Sequence, residues 1–221
     1  MRKVTLEIAG LEIQITYKKM KRMIMRYQKD QYCLSVPIGL GLQEIESWVV
    51  QNKTAIEALA SRAIHHAHYE NGGYVDFFGT RYAIKVRDMG RRLCVIHGKT
   101  LVVYHHDVTM TVEAYLRQAL RNYLEEAIEA FMQAGFPQAP SGLWISKMTS
   151  RFGSCKLPEG RLHFSFYLCH FEKEDIRAVV IHELCHLLEP SHNAHFYALV
   201  EQYMPTYRQV EKHLKQGGLT A

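Results

Sequence analysis

From Lys3 to Pro37 apolar and polar positions alternate: Val4, Leu6 and Ile8, then Leu11, Ile13 and Ile15, then Met23 and Met25, then Cys33, Leu34 and Val36. The alternation breaks at Gly10 and at the run Lys18-Lys19-Met20-Lys21-Arg22. A period of two marks half-buried strands, so this stretch predicts a small set of antiparallel strands. The period then lengthens. Leu42 to about Tyr69 has no Gly or Pro and carries Ile45, Trp48, Val49, Ile56, Leu59 and Ala60, which predicts one long helix or two, ended by Asn71-Gly72-Gly73.

A second β section follows in Tyr74–Phe78, Arg81–Val86, Leu93–Ile96 and Leu101–Tyr104, separated by Gly79, Gly90 and Gly98, and predicts hairpins. Thr111 to Ala134 then predicts a long helix with a Thr cap and Glu113 in its first turn. Val112, Leu116, Ala119, Leu120, Tyr123, Leu124 and Ala127 line one side, and Gly135 and Pro137 close it. After a short connector, Leu143–Met148 and Arg161–Leu168 predict strands on either side of Arg151-Phe152-Gly153-Ser154-Cys155. Asp175–Ile181 leads a helix with Ile176, Val179, Val180, Leu184 and Leu187 at helical spacing. Asn193–Tyr203 and Tyr207–Leu214 predict two further helices broken by Pro205. The pattern is that of an α+β protein, with a β-rich region with a helix at 1–108 and a second region at 109–221.

The helix at Asp175 also carries His182-Glu183-Leu184-Cys185-His186, followed by His192. Residues four apart share a helix face, so His182 and His186 can offer imidazoles to one metal while Glu183 sits one step round, near a metal-activated water. In a shuffled chain of this composition the five-residue pattern would arise roughly 0.06 times, and roughly 0.003 times with a third His at a fixed offset. Two imidazoles and a carboxylate on an otherwise apolar helix would be costly to desolvate without a partner. His192 needs a sharp return of the chain, which Glu189-Pro190-Ser191 supplies, since Pro190 opposes continuation of the helix. Glu201, Glu211 and His195 are alternative third ligands, and His192 is preferred because it completes three nitrogens and leaves a fourth position open.

Composition changes this picture little. The 221 residues are 48% hydrophobic and 22% charged, an ordinary globular balance, and no apolar run approaches a membrane span. The N-terminus alternates like a strand and lacks a signal-peptide core, so a cytosolic protein is expected. Cys33, Cys94, Cys155, Cys169 and Cys185 are odd in number and without a CxxC pair, which predicts reduced thiols, with Cys185 packed in the core. The net charge of +5 concentrates at Lys18–Arg22 with Arg26 and Lys29. Such a cluster can contact phosphates, but without aromatic interleaving a solvated hairpin turn is the simpler expectation. His65-His66-Ala67-His68 diverge around a helix and suggest a solvent-facing helix end rather than a second metal site.

Over most of its length, to Tyr207, the chain resembles the YgjP-like metallopeptidases, predicted metal-dependent hydrolases related to the SprT-like and WLM zinc peptidases. The blocks that carry the resemblance are Ser150-Arg151-Phe152-Gly153-Ser154-Cys155 and His182-Glu183-Leu184-Cys185-His186 with His192, followed by Phe196. The resemblance implies a zincin-like C-terminal region at 109–221, with His182, His186 and His192 as zinc ligands and Glu183 as the general base of peptide-bond hydrolysis. Phe152, Ser165 and Tyr197 stand where the family usually has Trp, Asn and Trp, which bears on the cleft and not on the ligands. By analogy the Gly153-Ser154-Cys155 block is cleft wall, although Gly153 alone would also suit a tight turn.

The expected partner is a peptide or protein substrate. Tyr197, Tyr203, His163, His195 and Arg151 are candidates to steady the oxyanion. Two other functions fit the same residues: a zinc-stabilised binding module without catalysis, associated with nucleic acid through Lys18–Arg22, and a zinc hydrolase of non-peptide amides. A structural site would close its fourth position with a protein ligand and has no use for Glu183.

Overall fold

The computed structural model describes residues 3–28, 31–61, 67–148 and 150–217, so Lys29, His65 and His66 lie outside the described residues. The chain divides into two compact units, within 1–64 and within 65–219.

The first unit is a four-stranded sheet in the order β1-β2-β4-β3, from β1 (Lys3–Ile8), β2 (Leu11–Lys18), β3 (Ile24–Gln28) and β4 (Gln31–Pro37). Helices α1 (Leu42–Gln51) and α2 (Lys53–Ser61) follow. Ile8, Ile13, Ile15, Leu34 and Val36 form one core with Ile45, Val49 and Ile56. Contrary to the all-antiparallel expectation, β2 and β4 are parallel, with Ile15 opposite Leu34. Alternation fixes which face a residue takes, and it is the same for either strand direction. Lys18–Arg22 is therefore no hairpin turn. It carries the chain past the end of β4 to the outer strand β3, with Lys18, Lys19, Lys21 and Arg22 exposed.

The second unit opens with a five-stranded sheet in the order β5-β6-β7-β9-β8. Its strands are β5 (Ala67–His68), β6 (Tyr74–Phe77), β7 (Thr80–Val86), β8 (Cys94–His97) and β9 (Thr100–Val103). The helix expected to reach Tyr69 thus gives way to β5. Phe78 and Gly79, both at positive φ, make the tight β6–β7 hairpin, and β8–β9 is a second hairpin.

The 26-residue α3 (Val108–Gln133) starts before the expected Thr111, because the Asp107 side chain accepts from Met110 N and caps it. Its buried stripe is Val112, Leu116, Leu120, Leu124, Ala127 and Phe131. A three-stranded sheet follows in the order β10-β12-β11, from β10 (Gly142–Ser146), β11 (Gly153–Lys156) and β12 (Arg161–Ser165). The strand expected to run to Leu168 stops at Ser165, whose hydroxyl donates to Met148 O at 2.7 Å and accepts from Tyr167 N to start a 3-10 turn, Phe166–His170.

Helices α4 (Lys173–Cys185), α5 (Ala194–Tyr203) and α6 (Tyr207–Gly217) complete the unit. One core joins both sheets and these helices, and the boundary expected at 108/109 falls inside it. From Asp175 onward helix α4 is buried on most sides, with Ile176, Ala178, Val179, Val180, Ile181, Leu184 and Cys185 in the core, as a central helix must be.

Asp175, also buried on α4, meets His213 of α6 at 2.9 Å, and its Oδ2 has no hydrogen-bond partner. The hydrogen bond and charge of Asp175 raise the pKa of His213 above the usual 6.5. A raised histidine pKa adds stability that is fully present below pH 6.5 and is lost as pH rises through the folded value. His213 is exposed, so solvent screening keeps the contribution to about 0.2–1 kcal/mol. Denaturant titrations from pH 5.5 to 8.5 should show this loss in the wild type and not in His213→Gln.

Candidate metal centre

His182 and Glu183 lie in the last turn of α4, and His186 is its C-cap. The helix ends there because Leu188 N and Glu189 N both turn back to Cys185 O, at 3.1 and 2.9 Å, and Pro190 follows. Glu189 then organises the return loop, accepting from Ser191 N at 3.0 Å and Ser191 Oγ at 2.7 Å. These bonds hold its carboxyl down at about 2. Asn193 caps α5 by accepting from Phe196 N. The result brings His192 back over His182.

Three imidazoles converge. Nε2 of His182 lies 3.2 Å from Nε2 of His186 and 3.0 Å from Nε2 of His192. Three nitrogens ~2.0–2.1 Å from one tetrahedral zinc would lie ~3.3 Å apart, close to this spacing. Nδ1 of His186 is 3.1 Å from Glu189 O, an acceptor only, so a neutral His186 carries its proton on Nδ1 and turns a lone pair inward at Nε2. Burial lowers the pKa of His186 and favours that neutral form. Phe196, fully buried, stacks on His186 at 4.6 Å and meets the rings of His182 and His192 edge-on at 4.9 Å each. It is the floor of the triad.

Glu183 is buried beside this cluster. Burial is the largest influence on its carboxyl and pushes it up to about 8, against the opposing pull of Arg151 and a backbone hydrogen bond from Cys155. A cation held by the histidines would draw it back toward the ionised form, so the donor set fits a divalent metal. Gly153 opens the edge strand β11 with no positive φ, so the tight-turn reading fails. A Cβ there would stand 2.6 Å from Glu183 Oε1 and 2.7 Å from its Cγ. Gly153 makes room for the carboxylate.

Among the described residues, His182, His186 and His192 form the group of potential ligands that comes together. The alternative Glu201 accepts from Arg208 Nε at 2.6 Å, and His195 sits 3.5 Å from Glu189 Oε2. The charge of Glu211 reaches Tyr207. Of the oxyanion candidates, Tyr203 donates to Gly135 O, His163 pairs with Ser146 Oγ, and Tyr197 lies under the Arg208 guanidinium at 3.7 Å. Arg151 alone of these five acts on the Glu183 carboxyl. Phe152, in place of the usual Trp, meets Phe171 edge-on. Nothing in the sequence signalled Tyr207, whose hydroxyl stands 2.7 Å from His182 Nδ1.

The sequence matches the YgjP-like metallopeptidase domain over residues 21–217. The chain belongs to the YgjP-like metallopeptidase family. No curated protein matches it. The crystal structure of the metallopeptidase zymogen abylysin of Pyrococcus abyssi is similar at 21% identity and a TM-score of 0.36, over 42% of this chain and 90% of the zymogen. As a YgjP-like metallopeptidase the chain has a divalent metal and a peptide or protein substrate implied for it, and its three converging imidazoles fit the metal. No helix among the described residues is long and apolar enough to cross a membrane.

Proposed function

We propose that this YgjP-like chain is a zinc-dependent peptidase in which His182, His186 and His192 hold the metal and Glu183 is the general base. The observation that carries the reading is the convergence of three imidazole nitrogens beside a buried carboxylate. Zinc held there would act as a Lewis acid on the scissile carbonyl and lower the pKa of the attacking water.

The protein's own groups do the rest. Glu183 takes the water proton on its carboxylate and returns it to the leaving nitrogen. Gly153 and the backbone of Cys155 fix where that carboxylate points. The edge strand β11 offers a backbone to which an extended peptide can add as a further strand. Arg151, whose charge reaches Glu183, is our candidate for the donor to the tetrahedral oxygen. Five free cysteines suit a reducing compartment such as the cytosol.

The binding-module alternative is weaker, because a structural zinc site closes with four protein ligands and this cluster has three among the described residues. Cleavage of a mixed peptide library distinguishes them. Hydrolysis is expected to stop after chelation and to return with added zinc; cleavage indifferent to chelator would remove zinc from the reaction.

A further inference from the structure

Helix α6 contributes no metal ligand to the triad, yet its first residue reaches the metal centre. Tyr207 is buried, its ring is stacked on His182 with centroids 6.0 Å apart, and its hydroxyl lies 2.7 Å from Nδ1. We infer that Tyr207 is a positioning residue for the metal. Its oxygen accepts the Nδ1 proton of His182 and so fixes the tautomer whose Nε2 is free to ligate. The inference rests on the zinc reading above.

The direction of this hydrogen bond follows from the neighbours. Nε2 of His182 faces two imidazole nitrogens, on His186 and His192, and a proton on it could be donated to only one of them. With the proton on Nδ1, all three rings present lone pairs to a common point. A phenol oxygen can accept that proton as well as donate its own, doing more weakly what is otherwise done by a carboxylate or carbonyl. Ligating histidines characteristically donate their second N–H to such a partner, which fixes ring and tautomer together. His182 lies in the last turn of α4 and Tyr207 at the start of α6, and the Asp175–His213 contact clips the same two helices at their other ends. Tyr207 is thus carried by a docked helix and not by a loose loop.

The test is zinc affinity by chelator competition on wild type, Tyr207→Phe and Tyr203→Phe, with melting of the metal-free proteins alongside. Tyr203 is the control because its hydroxyl serves the Gly135 carbonyl instead. Tyr207→Phe should bind zinc 10–100-fold more weakly while Tyr203→Phe binds as wild type. Tyr207→Phe binding zinc as tightly as wild type, or differing only in metal-free melting, overturns the inference and leaves the peptidase reading intact. Wild type that binds no zinc overturns both. Should Tyr207→Phe fail to fold, long-range 1H–15N correlation spectra of zinc-loaded wild type decide: a proton on His182 Nδ1 supports the role, and a proton on Nε2 ends it.

Discussion

Glu183→Gln should reduce peptide hydrolysis by roughly 10²–10⁴-fold, the range for removal of a positioned general base, with zinc content unchanged. The substitution keeps the side chain's size and its hydrogen-bonding reach. It removes only the ability to take a proton. Glu183 is buried and its environment already favours the uncharged form, so a neutral amide fits without leaving a charge behind. Kinetics on a fluorogenic peptide with metal analysis of the same sample provide the check. Loss of zinc in step with activity would make Glu183 a structural or ligating group; full activity would take it out of the reaction.

Gly153→Val should be nearly as damaging, about 10²-fold in kcat/KM, although residue 153 is neither ligand nor base. A Cβ at this position meets Oε1, Cγ and Cδ of Glu183 at 2.6, 2.7 and 2.9 Å, well inside van der Waals contact. The carboxylate must swing aside, and a misplacement of ~1 Å in a catalytic group can cost that much. The histidines lie on the other elements of the site, so zinc binding should persist. Ser154→Ala is the matched control. Its side chain points to the opposite face of β11, in register with His163, and it should behave as wild type. Equal effects from both substitutions would mean that β11 is merely fragile.

The sequence was most legible where one physical requirement determines one pattern. Val112, Leu116, Leu120 and Leu124 had to lie on a helix, and His182 and His186 had to share a face of α4. The ring of Phe196 beneath all three imidazoles could be suspected only from its place after the motif. Strand partners were less legible, since Ile13 and Ile15 turn inward whether β4 runs parallel or antiparallel. Helix α3 began early because the Asp107 cap competes with Thr111, whose hydroxyl bonds back to Asp107 O from inside the helix. The contacts of Gly153 with Glu183 and of Tyr207 with His182 were hidden for a different reason. Each reaches across the fold to a partner 30 and 25 residues away, and neither a glycine nor a tyrosine advertises such a contact locally.

The central claim is that three histidines from α4 and the loop after it hold a zinc ion. Metal content by mass spectrometry on purified wild type and His192→Ala tests it most directly, because His192 is exposed and its removal should leave the core of α4 undisturbed. The expected result is about one zinc per chain in wild type and a large loss in His192→Ala, with both proteins equally folded by circular dichroism. Wild type that stays metal-free after zinc supplementation, or His192→Ala that keeps full stoichiometry, would contradict the claim.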